Sequence, residues 1–451
     1  MEMVLEFLRD VLSQPALLIG IMSCVGLIAL KRPFHKVMTG TLKPILGYLM
    51  LAAGAGVIVS NLDPLGKMIE HGFHITGVVP NNEAIVAVAQ KVLGVETMSI
   101  LVVGLLMNLC IARFTKFKYV FLTGHHSLFM ACLMSAVLGT AGLSGMELIL
   151  VGGFLMGAWS AISPAIGQSY TSKVTDGDEI AIGHFGSLGY YLSAWVAQYV
   201  GKAEDSTEDI EIPEKWGFLR DSTLSTALTM IVFYLIAAIA AGSEFVSTLS
   251  GDMSPYLYAV MSAMNFAVGV TIVYSGVRMI LGDLIPAFQG IATKIIPNAI
   301  PAVDCAVFFT YAPTAVVLGF LSSFIGGIIG MLILGAVGGV LIIPGLVPHF
   351  FCGATAGIYG NATGGRRGAA VGAFLNGLAI TFLPAMALPV LGQLGFQNTT
   401  FGDADFAVMG LVLGNAYEWV GMAGIYGIVA IAALVLIIPN FIKTKGKVIN
   451  D

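Results

Sequence analysis

Between Lys294 and Arg366 the chain runs for 71 residues with one formally charged side chain, Asp304. A stretch that long with almost no charge suits a chain that crosses lipid and does not suit a water-soluble domain. Pro297, Pro301 and Pro313 stand around the acid; each removes a backbone N–H and opposes a continuous helix. A carboxylate at membrane depth is costly unless it faces a polar cavity, a ligand or a proton. Irregular backbone at that depth is tolerated only where it packs in protein or lines such a cavity. Acid and broken helix together point to a substrate or ion site inside a transporter. The plainer alternative is a structural Asp that caps a half-helix.

The rest of the chain agrees. It is 57% hydrophobic and 10% charged, where a soluble protein would carry about 25% charged residues. Roughly ten apolar runs are long enough to cross a bilayer. One integral membrane domain over residues 1–451 is expected, without a soluble catalytic domain. No concentrated basic surface suggests nucleic acid. The opening MEMVLEFLRD lacks the basic region and cleavage site of a signal peptide. Cys24, Cys110, Cys132, Cys305 and Cys352 lie in apolar segments without short pairing, which fits buried small hydrophobes better than disulfides or a zinc site.

Charge placement predicts orientation. Lys31, Arg32, Lys36 and Lys43 follow a first span at 14–30 with no acid among them, and Lys443, Lys445 and Lys447 close the chain. Both loops belong inside, which leaves the N-terminus outside and the C-terminus cytoplasmic. Further spans are expected at 44–60, 97–114, near 119–139 and 147–166, at 223–247, 256–280, 314–343 and 368–392, and within 406–440. Residues 83–94 read as a half-helix opened by Pro80, Asn81 and Asn82, with Glu83 near its positive end. Residues 171–201 read as a re-entrant segment with His184 near its tip, and residues 283–313 as a broken region. Interrupted segments in both halves are the sign of an inverted repeat. The acidic loop 202–221 is either a solvated face or a receiver for a basic partner.

Three side chains join Asp304 as candidates. His125 and His126 lie in FLTGHHSLFM, and His184 lies between glycines in AIGHFGS. A neutral imidazole both donates and accepts hydrogen bonds, which suits polyol recognition and proton relay; anchoring a helix end is the plainer role for the pair. Glu83 is either a ligand contact or a cap on free amides. No nucleotide-binding loop, nucleophile elbow, zinc-protease motif or dinucleotide fingerprint occurs in a suitable context, so an enzyme acting alone is not expected.

Five motifs in this order, LTGHH (122–126), VTDGDEIAIGH (174–184), AFQGIATKIIPNAIPAVDCA (287–306), YAPTAVVLGF (311–320) and IIPGLVPHFF (342–351), resemble the ascorbate-type EIIC membrane component of the phosphoenolpyruvate-dependent sugar phosphotransferase system. The resemblance covers nearly the whole chain. It implies an all-α polytopic membrane protein of about eleven transmembrane helices with re-entrant segments. It also implies an inverted-repeat, elevator-type transporter in a bacterial cell membrane, with a core domain and a V-motif domain that forms a homodimer. The sugar would be phosphorylated during uptake by a separate EIIB, itself charged by EIIA, with no cofactor, metal or catalytic residue in this chain. Substrate contact carries over to His125, His184 and Asp304. Thr123 and Phe185 beside the histidines, and Asn82 and Glu83 at the half-helix start, complete the candidate set. The chain departs from the ascorbate pattern where Phe185, Phe129 and Met130 stand in place of glutamines, and where Ala52 or Ala53 replaces another. Lost amides weaken recognition of an ascorbate-like acid, which leaves the sugar open. The rival readings are a proton-coupled secondary transporter and a membrane sensor that binds sugar without moving it.

Overall fold

In lipid a backbone must satisfy its own N–H and C=O groups, and the helix is the segment that does so alone. The computed structural model describes residues 15–73, 77–80, 82–177, 180–209, 222–296, 299–309, 311–392 and 399–441. Helices α1 (Pro15–Ala29) and α2 (Phe34–Phe73) lead to strand β1 (Gly77–Pro80). Then follow α3 (Asn82–Phe114), β2 (Tyr119–Phe121), α4 (Gly124–Thr140), α5 (Gly145–Thr175), β3 (Ala181–Ile182) and α6 (Ser187–Val200). After a single 3-10 turn the second half begins with α7 (Ser222–Ala241), α8 (Ser243–Ser250), α9 (Pro255–Ile295), β4 (Ile300–Val303) and the short α10 (Cys305–Phe308). It ends with α11 (Pro313–Ala336), β5 (Leu341–Ile342), α12 (Leu346–Gly392), β6 (Thr399–Thr400), α13 (Ala404–Val420) and α14 (Met422–Phe441).

Among the described residues, six helical segments are long and apolar enough to cross a membrane, or seven if the α7–α8 pair, bent by 117°, counts as one. This is a polytopic helical membrane protein, with fewer qualifying spans than the expected eleven or so. The shortfall lies partly in α1, α4, α6 and α13, of 15, 17, 14 and 17 residues, below the ~20 needed to cross. Exposed Ile431, Leu434, Ile438 and Phe441 on α14 are ordinary for a helix facing lipid. Residues 83–94 are not a separate half-helix: α3 continues unbroken through them to Phe114, because Gly94 alone does not break a helix. The broken region also starts later than expected, since α9 runs to Ile295. The span expected to start at 368 is instead the second part of α12, which begins at Leu346 and is broken where Gly364 and Gly365 leave helical geometry.

Where helices do break, short strands satisfy the freed backbone. β1 pairs in parallel with β5 and β6, and β4 pairs in parallel with β2 and β3, making two three-stranded sheets ordered β5-β1-β6 and β2-β4-β3. The strands start at 77 and 300, at 119 and 341, and at 181 and 399, offsets of 223, 222 and 218 residues. Exchanging the halves of the chain therefore turns one sheet into the other. The first strand of each half is the centre of the sheet whose edges come from the other half.

The helices pack in two groups. α2 packs on α1, α7 and α9, and α7 packs on α9; α12 packs on α6, α11 and α13, while α3 packs on α4 and α5. Part of the acidic run proves structural. The Glu208 carboxylate accepts the N–H groups of Thr314 (3.0 Å) and Ala315 (3.2 Å) at the start of α11, where free amides and the helix dipole favour an anion. Beside it, Asp205 O accepts the Arg366 N–H at 2.8 Å and Asn361 Oδ1 accepts the Thr207 N–H at 2.8 Å. The segment thus straps the α12 break to the α11 start. Glu211, Glu214 and Asp221 lie outside the described residues.

Gly365 sits at φ 60 with its α-carbon against the strap: a Cβ there would lie 2.3 Å from Lys202 O and 2.4 Å from Asp205 O. Gly365→Ala is expected to lower the apparent melting temperature of the detergent-purified protein, since the backbone strain alone is worth about 1–3 kcal/mol. Gly56→Ala, inside α2 where a Cβ meets nothing within 4 Å, serves as the control and does not lower it, since Ala is the better helix former.

Candidate functional site

The three residues singled out from the sequence leave three neighbouring strands at the same end. β2 runs through Leu122 and Thr123 into α4, which opens Gly124-His125-His126. β3 runs into Gly183-His184, and β4 into Asp304. The ladder extends past the strands: the Leu122 N–H donates to Ala302 O (2.9 Å) and the Gly183 N–H to Val303 O (2.7 Å). Gly183 is required for this approach, because a Cβ would fall 2.4 Å from Ala302 O. The carboxyl ends of parallel strands are a recurrent place for ligands, because loops diverge there and leave a crevice.

His125 Nε2 lies 3.3 Å from Asp304 Oδ2, and these are the more accessible pair, with side chains 18% and 24% exposed. Behind them His126 and His184 are buried, with ring centroids 3.6 Å apart. Two successive amides of one turn hold these rings from behind. The Phe185 N–H donates to His126 Nδ1 and the Gly186 N–H to His184 Nδ1, each at 3.2 Å. A backbone amide only donates, so each Nδ1 carries a lone pair and each proton sits on Nε2. Tyr190 Oη lies a further 2.7 Å from His184 Nδ1.

The opposite sheet supplies the other wall. Asp403, after β6, accepts the Cys352 Sγ–H at 2.7 Å and a hydrogen bond from Asn82 Nδ2. Asn82 Oδ1 in turn accepts the Gly402 N–H at 2.8 Å. Asp403 Oδ1 lies 3.8 Å from His184 Nδ1, an approach of charge to dipole and not a hydrogen bond, since that nitrogen carries no proton. The two sheets therefore present their carboxyl ends to each other, and the residues above sit where they meet.

One donor atom each of His126, His184 and Asp403 lie within 4.8 Å of one another, a density found in metal centres. The tautomers oppose a metal here. With both Nδ1 lone pairs taken by amides, each Nε2 bears a proton and offers no free ligand pair, whereas ligating histidines turn a ring N–H away from the ion. The arrangement instead offers N–H donors and carboxylate acceptors, the two halves of a hydroxyl's needs.

Asp405 holds the His184 turn. It is fully buried and accepts the Leu188 N–H (2.9 Å), the Ser187 hydroxyl (2.8 Å) and Trp159 Nε1–H (3.2 Å), while its own N–H donates to Phe185 O (3.0 Å). It thus caps α6 from a distant part of the chain.

The sequence candidates fare differently. His125, His184, Asp304 and Asn82 converge. Phe185 contributes its amide, but its ring is fully buried, stacked on Phe121 at 4.4 Å and edge-on to Phe406; it forms the floor and does not face the opening. Thr123 is buried with its hydroxyl unpaired, as is His125 Nδ1, two polar atoms that native interiors rarely leave without partners. The Glu83 side chain lies outside the described residues. Asp403, Asp405, Tyr190 and Cys352 were missed. The signal for the two acids was present: TTFGDADF places them in an apolar tract after a β-like TTF, and intramembrane acids deserve the same suspicion as Asp304.

Residues 10–405 match the family described as EIIC-GAT, the PTS system sugar-specific permease component. The chain is also 26% identical to the "Ascorbate-specific PTS system EIIC component" of Mycoplasma pneumoniae, a match covering 91% of this chain and 70% of that protein.

Asp405→Ala is expected to destabilise the purified protein more than Asp304→Ala. It strands three donors in a dry interior at about 1–3 kcal/mol each, whereas Asp304 is partly open. Apparent melting temperatures of the two variants, measured side by side, check the order.

Proposed function

The chain belongs to the EIIC-GAT family of PTS sugar-specific permease components, and from that premise we propose that it imports a sugar that is phosphorylated during uptake by a separate phosphorylated EIIB on the cytoplasmic side. The class of substrate is ascorbate or a related sugar, as the name of the Mycoplasma pneumoniae relative suggests. The observation that carries the reading is the His125–Asp304 pair at the strand ends, partly exposed beside two buried polar atoms without a hydrogen-bond partner among the described residues. In this reading Asp304 accepts hydrogen bonds from sugar hydroxyls, His125 and Thr123 complete the polar cup, and His184 supports it from within the fold.

In this reading one helix group moves against the other. The α3–α6 and α10–α14 group carries the cup, and the α1, α2 and α7–α9 group is the V-motif scaffold through which two copies form a homodimer. Between the groups lies a small apolar void lined by Leu65, Ile69 and Met230 on one side and by Pro80, Ile343 and Pro348 on the other. Apolar surfaces suit sliding, as an elevator requires. The strand exchange supports an inverted repeat, and the strand-plus-short-helix units at β3–α6 and β6–α13 support re-entrant segments. The basic cluster Lys31, Arg32, Lys36 and Lys43, at the α1–α2 turn and the first turns of α2, supports an outside N-terminus and a cytoplasmic C-terminus. EIIB, recharged by EIIA, transfers its phosphoryl group to a sugar hydroxyl, and the charge gained keeps the product inside.

Uptake of labelled ascorbate, pentoses and hexitols by cells with and without EIIB tests this. Phosphorylated product is expected only with EIIB, and Asp304→Asn is expected to lower uptake by about tenfold or more at unchanged membrane level, the loss of a charge-assisted hydrogen bond. Accumulation of unmodified sugar without EIIB, abolished by an uncoupler, overturns the reading.

A further inference from the structure

We propose that Asp405 is a positioning residue of the cup, one that sets from behind which nitrogen of His126 and of His184 carries the proton. Its effect on uptake rests on the transport reading above; the placement of the protons is a property of the turn 184–188 itself. Two peptide groups of that turn have both their polar atoms in use. In the Phe185–Gly186 peptide the Gly186 N–H donates to His184 Nδ1 at 3.2 Å, and Phe185 O accepts the Asp405 N–H at 3.0 Å. In the His184–Phe185 peptide the Phe185 N–H donates to His126 Nδ1 at 3.2 Å, and His184 O accepts the Ser187 N–H at 3.1 Å. A trans peptide is planar with its N–H and C=O opposed, so a bond that fixes the oxygen also aims the N–H.

Asp405 holds both planes. It grips the first through its own N–H and the second through Ser187, whose hydroxyl donates to Oδ2 at 2.8 Å. The Leu188 N–H on Oδ1 (2.9 Å) and the Trp159 Nε1–H on Oδ2 (3.2 Å) fix the carboxylate in turn. A helix cap needs only the Ser187 and Leu188 groups. The bond to Phe185 O reaches past the start of α6 into the very peptide that faces an imidazole. The facing wall is tied in as well, because Asp403, two residues before, lies 3.8 Å from His184 Nδ1. With the amides so aimed, the Nδ1 lone pairs are claimed and each Nε2–H is left as a donor; with the amides released, a neutral imidazole takes either tautomer. His184 Nδ1 has Tyr190 Oη at 2.7 Å as a second partner, whereas the Phe185 amide is the one hydrogen bond to His126 Nδ1 among the described residues. His126 is therefore the more sensitive ring.

Nitrogen NMR of the full-length protein in nanodiscs, carrying isotopically labelled histidine at neutral pH, reads the protons directly, and His126→Asn and His184→Asn assign the two rings. In the wild type both rings are expected as the Nε2–H tautomer. Asp405→Asn, of equal size, turns one acceptor oxygen into a donor. It is expected to raise the Nδ1–H fraction of His126 by about tenfold, the worth of one hydrogen bond, and that of His184 by less. Ser187→Ala and Trp159→Phe each remove one bond to the carboxylate and are expected to shift His126 the same way by roughly threefold; they carry the test should Asp405→Asn not fold. A purely structural Asp405 lowers the melting temperature and leaves the tautomers of the folded protein as in the wild type, and that result overturns the inference, as does a wild type with Nδ1–H rings. Uptake of labelled ascorbate by cells with EIIB reads the effect on the cup. The half-saturation concentration is expected to rise about tenfold, with the maximal rate per folded transporter held within about twofold; a tautomer shift with an unchanged half-saturation concentration also overturns the inference. The failures are distinguishable: a wild type that takes up no sugar removes the transport reading, and the tautomers still decide the role of Asp405.

Discussion

Everything in this fold depends on how backbone amides and carbonyls are satisfied where the helices stop. An interrupted helix in lipid exposes several such groups, each costing kilocalories if left unpaired. Here the interruptions are brought together in threes, so that the central stretch of each set pairs with two others and each edge stretch with the centre. What would be six separate defects becomes two small sheets. The loops that leave those sheets are free to carry polar side chains, because the local backbone is already paired.

That arrangement explains why the candidate site lies where it does. Residues far apart in the chain, at 82, 125, 184, 304 and 403, meet because each follows a strand, and the strands are held in register by main-chain bonds and not by the side chains themselves. The polar side chains can then be chosen for recognition. Asp405 shows the second layer of the same design: it takes no part in the opening but ties the His184 turn to α6 and to Trp159, fixing ring positions that a ligand would otherwise have to organise. The strap from Lys202 to Asp209 does comparable service for the α12 break and the α11 start.

Much of this was legible in the residues. A lone acid among prolines announced Asp304, and paired glycines announced the His184 turn. Spans were harder to delimit, because apolar composition is nearly uniform and helix ends are set by tertiary pairing, as with α3 running through the supposed end at 94. The facing wall was not legible. Asp403 and Cys352 belong to the site only because β6 and β5 lie beside β1, a pairing across more than 260 residues that no local pattern encodes. The fate of Phe185 was equally hidden: an aromatic beside a functional histidine reads as a contact, and only packing reveals it as a floor.

The strand exchange has a consequence for how the protein is made. As the ribosome delivers the first half, β2 and β3 enter the membrane without the strand that belongs between them, and β1 enters without either neighbour. Neither sheet can close until synthesis has passed β4 and, for the other, β6. The first half is therefore not an autonomous folding unit, and its broken segments must wait in a provisional state, sheltered by water, lipid headgroups or insertion machinery.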